Sequence, residues 1–350
     1  MSVGDGVLVG FGSYIAIGRE VTYGTYATST AGIAFLSSSL KTTKETKIIE
    51  EIQRSRTNSN YIQLGKVIEG DIEGVFAPEN LACNYLLQNA FGGGPVTSAT
   101  ATGETVGGTA FDHIINVSDF RSTYSSLSIN HRKGESVGAK IFEYTGIRVN
   151  ELSFVAEIDE PLMFTASVIG KDSTLTANDV SAVLDTTTAT QLPMSFVSGR
   201  LSVETTNALT TTSYWNVQSF EFKTSNNLNS DSSSRRIGSD TLQVLPAGLA
   251  QFEFSCNVRF DTSTAYNAML NGTRLYGEFE FLGDTITGST LRKSLKMTMP
   301  FLIVNEAGDP EIGGPGEALT SNVVFSVLRD PTASGYAVRA TVRNATASYA

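Results

Sequence analysis

The sequence predicts an all-β protein with short flanking helices, and three observations carry that reading. Glycine, with 32 of 350 residues, stands among dense serine and threonine, while helical runs of Lys and Glu are rare, a composition of strands and turns. KVIEGDIEGVF at 66–76 and LAQFEFSCNVRFD at 249–261 alternate apolar with polar residues, the period of a half-buried strand. The segments that read as helix are brief: APENLACNYLLQNAFGGG at 77–94 and TSTAYNAMLNG at 262–272.

The length suits two ordinary domains or one large β assembly. Hydrophobic residues make up 41% and charged residues 17%. The first figure allows real cores. The second is low for a chain bathed in water on every side and fits a subunit that hides surface against neighbours. A net charge of −10 argues against a protein that grips nucleic acid. A conduit through which DNA must slide is different, because a negative wall keeps phosphate from sticking.

In chain order, residues 1–18 are glycine-rich and apolar, fitting either a terminal arm packed on a neighbour or an edge strand. Residues 41–60 (KTTKETKIIEEIQRSRTNSN) carry charges of both signs and read as a protruding loop or hairpin. In 66–76, Ile68, Ile72 and Phe76 share one face with Gly70 and Gly74, while Glu69, Asp71 and Glu73 share the other. The helix after it should start at Pro78, with Glu79 favouring the positive end of its dipole, Leu81, Ala82, Tyr85 and Leu86 on its apolar face and Gly92 as its stop. Residues 92–109 read as a low-complexity loop. Strands resume from Phe111, with a turn near His131–Gly134. Residues 172–192 look like a connection, and NNLNSDSSSRRIGSD reads as a second polar loop.

Three pieces then recur in order. Leu40-Lys41-Thr42 returns as Phe222-Lys223-Thr224, each just before a polar loop. Arg56, Ser59, Asn60, Ile62 and Gln63 return as Arg236, Ser239, Asp240, Leu242 and Gln243. Ile68, Ile72 and Phe76 return as Phe252, Cys256 and Phe260, with Leu86 of the next helix matching Leu270. The expected organisation is an arm at 1–18, a first half at 19–172, a linker at 173–192 and a second half at 193–350. Each half supplies a sheet with one apolar face and a helix to cover it, and three such chains would imitate a hexamer.

Several stretches make the chain resemble the phage tail tube protein family. They are Arg19-Glu20-Val21-Thr22-Tyr23-Gly24-Thr25, Phe35-Leu36-Ser37, Arg54-Ser55-Arg56, Gly65-Lys66-Val67 with Gly70-Asp71-Ile72-Glu73, and the helix with Leu81 and Leu86-Leu87. Later come Tyr144-Thr145-Gly146 before Val149-Asn150, Val168-Ile169-Gly170-Lys171-Asp172, Asn271-Gly272 and Met299-Pro300-Phe301. The likeness runs from about residue 15 to 345, on short motifs of common residues. It implies tandem tail-tube-like β-sandwich domains whose strands join an intersubunit β-barrel around a lumen. Loops and arms would link stacked rings, in a virion tail assembled in the host cytoplasm with tape measure and tail terminator proteins as partners. Simple members carry one such domain and this chain reads as two, which favours trimers over hexamers.

On that implication, strands 66–76, 249–260 and 275–282 form the inner wall, and Glu69, Asp71, Glu73, Glu278 and Glu280 face the channel. Lys44, Glu45, Glu50, Glu51, Arg54 and Arg56, with Arg235 and Arg236, are the candidates for ring-to-ring contact. No enzyme is expected. His113 and His131 stand alone, Cys83 and Cys256 lack ligand spacing and read as buried small side chains, and there is neither a nucleophile elbow nor a phosphate loop. No cofactor or metal follows from these residues. No apolar run approaches the ~18 residues of a membrane span, and the N-terminus lacks the basic start and cleavage site of a signal peptide. The alternative, a virion decoration or carbohydrate-binding sandwich, needs an exposed aromatic platform, whereas the lone Trp215 lies in an apolar strand.

Overall fold

The computed structural model describes residues 10–52, 54–104, 108–121, 124–134, 140–184, 192–206, 214–260, 263–310, 314–316, 318–331 and 335–349. Among them the chain is mostly strand: 18 strands are hydrogen-bonded into one antiparallel network, with two short helices, α1 (Leu81–Ala90) and α2 (Thr264–Asn271).

The first succession of strands is β1 (Tyr14–Glu20), β2 (Ala31–Ile33), β3 (Ser37–Ser38), β4 (Lys41–Ile49), β5 (Asn60–Val75), β6 (Val96–Thr100), β7 (Phe111–Asn116), β8 (Ser126–Lys133), β9 (Lys140–Glu157), β10 (Met163–Gly170) and β11 (Asp172–Thr176). One layer runs β2–β1–β8–β9–β11. The other runs from β3 and β4 through β5 and β10 to β9. The 18-residue β9 serves both, its first part in one layer and its second in the other.

The second succession is β12 (Gly199–Glu204), β13 (Val217–Ser225), β14 (Gln251–Arg259), β15 (Leu275–Thr285), β16 (Arg292–Ala307), β17 (Thr320–Val327) and β18 (Arg339–Asn344). Its pairings follow the same plan. One layer runs β12–β15–β16–β18 and the other β13–β14–β17–β16, with β16 passing between layers as β9 does. The two successions join at two places, where β13 pairs with the second part of β9 and where β18 pairs with β7. The result is one unbroken sheet of eight strand positions: β3/β4, β5, β10, β9, β13, β14, β17 and β16.

Period-two patterning positions this sheet. Ile68, Ile72, Phe76, Phe252, Phe254 and Cys256 are buried, and Phe260, also expected inside, is half-buried. Phe279 of β15 packs on Phe220, Phe222 and Phe254 with ring centroids 5.0, 5.8 and 6.2 Å apart. These strands are not ladder neighbours, so the rings mark face-to-face packing of two layers. A single core cluster includes side chains from both successions.

Several expectations need correction. Residues 14–18 are not an arm: Ile15 and Ile17 are fully buried in β1, between β2 and β8, and the remainder of that expectation falls mostly on residues 1–9, outside the described ones. Helix α1 starts at Leu81, because the Asn80 side chain caps it by accepting from the Ala82 and Cys83 N–H groups. Pro78 and Glu79 lie before the helix, and Glu79 pairs with Lys293 at 3.3 Å. The helix is buried over Ala82–Ala90, not along one stripe. The supposed loop 92–109 contains β6, which pairs with β7. The connection at 172–192 begins as β11, paired with β9.

Candidate functional site

The surface that the sequence singled out is the solvent face of the eight-position sheet. In β5 the acids and the buried residues take opposite faces: Glu69 and Glu73 are exposed and Asp71 half-exposed. Ser37 donates to Glu73 at 2.6 Å, and the Asp71 N–H donates to Ser39 at 2.8 Å. The cross-strand register extends this face laterally. Glu73 lies opposite Thr165, which faces Ser153, then Lys223, Glu253 and Ser326. A neighbouring row runs Asp71, Ser167, Glu151, Ser225 and Gln251. Glu157, Glu221 and Glu306 also lie on these strands and are exposed.

Sequence reasoning found the three acids of β5 and missed Glu151, Glu157, Glu221, Glu253 and Glu306. Glu253 carried a usable signal, since it follows Phe252 as Glu69 follows Ile68. Against the acids stands Lys223, bound to Glu151 at 2.9 Å, an ion pair that raises the Lys223 pKa through its hydrogen bond to that carboxylate.

Glu278 and Glu280 do not join this surface. Both lie on β15, in the layer paired with β12 and with the first part of β16. Glu280 is nearly buried and bound to Arg200. Glu278 pairs with Lys296 at 3.4 Å and accepts from Thr298 at 3.3 Å. Strand 275–282 therefore belongs to the opposite layer, and its acids are neutralised by neighbours.

The two polar loops also differ. Residues 41–60 do form a hairpin, β4 with the start of β5, and it is exposed along its length. Ile48, Ile52, Tyr61 and Ile62 are uncovered on it, as are Glu45, Glu50, Arg54 and Arg56. Lys44 reaches Asp240 at 3.0 Å, and Glu51 accepts from Asn60 at 2.8 Å. The loop at 226–250 is instead docked on the first succession. Leu228, Leu242 and Leu245 pack with Phe120, Tyr23 and Ile169. Arg235 donates to the backbone oxygens of Lys66 and Asp240 at 2.7 and 3.1 Å. That corrects Arg235 as a contact residue free for another ring, whereas Arg236 is exposed.

The lone histidines are buried. His113 meets Ser98 at 2.7 Å and Asn344 at 2.9 Å and stacks on Tyr349. Burial lowers the His131 pKa from 6.5 to about 4, with Lys133 adding to the shift. Cys83 and Cys256 are free and buried, and desolvation pushes both thiols up to about 12. Among the described residues no three His, Cys, Asp or Glu side chains gather as a metal site. Trp215 is half-buried and leans on Phe325, ring centroids 6.1 Å apart, packed against the core. Among the described residues no helix is long and apolar enough to cross a membrane.

The family model for phage tail tube proteins matches residues 10–327. The chain belongs to the phage tail tube protein family. Its place is the virion tail, and its role is structural, as a self-assembling component of the tube among other tail proteins. No curated protein matches it.

Proposed function

We propose that three copies of this tail tube protein close into a ring whose lumen is lined by the eight-position sheet, and that stacked rings conduct DNA during ejection. The observation that carries the reading is the unbroken sheet with a buried apolar face and an acid-rich solvent face. The two matching successions of pairings support an internal duplication with halves near 19–172 and 193–350, each filling one of six quasi-equivalent places.

The size is consistent with this role. Eight strand positions in each of three chains give about 24 strands. At about 4.8 Å between strands and a tilt near 40°, such a barrel is about 50 Å across between backbones, which leaves room for a duplex after side chains. The acids repel phosphate, so DNA passes without specific binding. Closing the sheet also removes exposed edges, which otherwise invite aggregation.

The exposed hairpin of β4 and β5, with Lys44, Glu45, Glu50, Glu51, Arg54 and Arg56, is the contact to the next ring. A tape measure protein would occupy the lumen and a terminator would cap the last ring. Negative-stain imaging of the purified chain tests the reading: hollow tubes with a regular axial repeat are expected, and a persistent monomer without tubes or rings under assembly conditions refutes it.

A further inference from the structure

We infer that ring closure repeats between chains the joint that β9 and β13 make within one chain, with Glu306-Ala307-Gly308 of one copy seated against Lys41-Thr42-Thr43 of the next. The inference rests on the ring reading above and specifies which edges meet and in what register.

The intrachain joint is the template. Ser219–Ser225 pairs with Glu151–Glu157, placing Ser225 opposite Glu151 and Thr224 opposite Leu152. Beyond the last pair, the Asn226 N–H donates to the Asn150 carbonyl at 2.7 Å, and the Leu228 N–H donates to the Asn150 side-chain oxygen at 2.9 Å. Lys223 closes the contact diagonally on Glu151 at 2.9 Å.

Both halves of this joint recur at the free ends of the sheet. In β9 the register to β10 slips between Ser167, opposite Glu151, and Val168, opposite Val149, so that Asn150 bulges. In β16 the register to β17 slips between Val324, opposite Glu306, and Phe325, opposite Val304, so that Asn305 bulges. A bulge is a specific backbone feature that fixes register, and here the bulged triplet is Val-Asn-Glu both times. On the other side, Lys223 and Thr224 lie opposite Glu253 and Phe252, as Lys41 and Thr42 lie opposite Glu69 and Ile68.

Gly70, at φ +153, lets the irregular step between β3 and β4 come close: a Cβ there would sit 2.5 Å from the Leu40 backbone. Among the described residues, Ile303–Ala307 pairs only with β17, and β4 pairs only with β5. Each therefore leaves one edge without a strand, and on that edge of β16 the Ala307 N–H donates to Met269 Sδ at 3.3 Å, a weak acceptor that the Thr42 carbonyl would replace. Lys41 and Glu306 are exposed, and neither is among the ion pairs of the described residues.

Carrying the register across places Thr43 opposite Glu306 and Thr42 opposite Ala307, with Lys41 reaching Glu306 as Lys223 reaches Glu151. The two edges differ from each other, so the contact is head-to-tail and must close on itself to end.

The test is a cysteine pair in the full chain, Thr43→Cys with Glu306→Cys, both at exposed positions. Glu151→Cys with Ser225→Cys serves as the intrachain control. After oxidation of assembled tubes, the new pair should yield covalent dimers and trimers on a non-reducing gel, with the ladder ending at three. Intact tubes that stay monomeric while the control pair closes overturn the joint and leave the ring reading standing. A ladder past three keeps the joint and overturns the three-chain ring. A wild-type chain that forms neither rings nor tubes overturns both. Lys41→Glu and Glu306→Lys should each lose polymer, and their combination should recover it.

Discussion

Reversing the acids of β5 is the sharpest perturbation of the proposed channel wall. Glu69→Lys, Asp71→Lys and Glu73→Lys together change the charge of one chain by +6, from −3 to +3 at these positions, and of a three-chain ring by +18. The fold should survive, because Ile68, Ile72 and Phe76 keep the buried face. The substitutions remove the hydrogen bonds from Ser37 to Glu73 and from Ser39 to Asp71, both solvent-exposed and worth at most about 1 kcal/mol each. Tubes should therefore still assemble. If about six of the nine new lysines in each ring meet phosphate, duplex retention should fall about 10³-fold between 50 and 200 mM salt. Wild-type tubes should retain little DNA at either salt. The assay is retention of labelled duplex by pelleted tubes across a salt series, with ejection kinetics from virions as the second measure. Variant tubes that hold no more DNA than wild type would place this face away from the lumen. Loss of assembly with an intact fold would place the acids at a subunit contact.

Other outcomes follow from the same geometry. Removing residues 46–59 should leave a folded subunit that forms no long tubes, since that end of the hairpin lies outside the core and outside the lateral joint; long tubes from the deletion would contradict its role between rings. His131 should make the fold acid-sensitive. Its folded pKa of about 4 lies below the ordinary 6.5, so the unfolded chain binds the proton first. Stability should thus fall as pH drops from about 6.5 towards 4, by up to roughly 3 kcal/mol; a His131→Gln variant should flatten that limb in urea titrations at stepped pH, and an unchanged slope would discount the residue. Phe279→Ala should cost about 3–5 kcal/mol in chemical denaturation, because the ring is fully buried against Phe220, Phe222 and Phe254; a loss below about 1 kcal/mol would argue against tight packing of the layers. Cys83 and Cys256 should react with a thiol reagent only on unfolding, given their burial.

What the sequence revealed follows the physics of its signals. Period-two strands were readable wherever one face is buried and the other wet, as in 66–76 and 249–261. Strand β1 was legible only as one of two readings of residues 1–18, because it is buried on both faces and its run of Tyr14 to Ile17 has no polar phase. Helix α1 was found, but its start was misplaced: the Asn80 cap won over Pro78. Strand β6 was hidden in a Ser/Thr/Gly stretch, where no apolar alternation marks the strand that pairs with β7. The acids of β15 alternate like those of β5, and only the cross-layer packing of Phe279 separates the two. The joint between successions was half-legible. Leu40-Lys41-Thr42 and Phe222-Lys223-Thr224 stood out before their loops, whereas the paired Val-Asn-Glu triplets were too short to weigh until both proved to be bulges.

The measurement that bears most directly on the three-chain ring is an image reconstruction of assembled tubes at a resolution that separates the two halves of a chain. Three chains per ring in six similar places, with the acids of β5 and β14 facing the lumen, is the expected result. Six chains per ring, or tubes whose acid-bearing sheet faces outward, would contradict it.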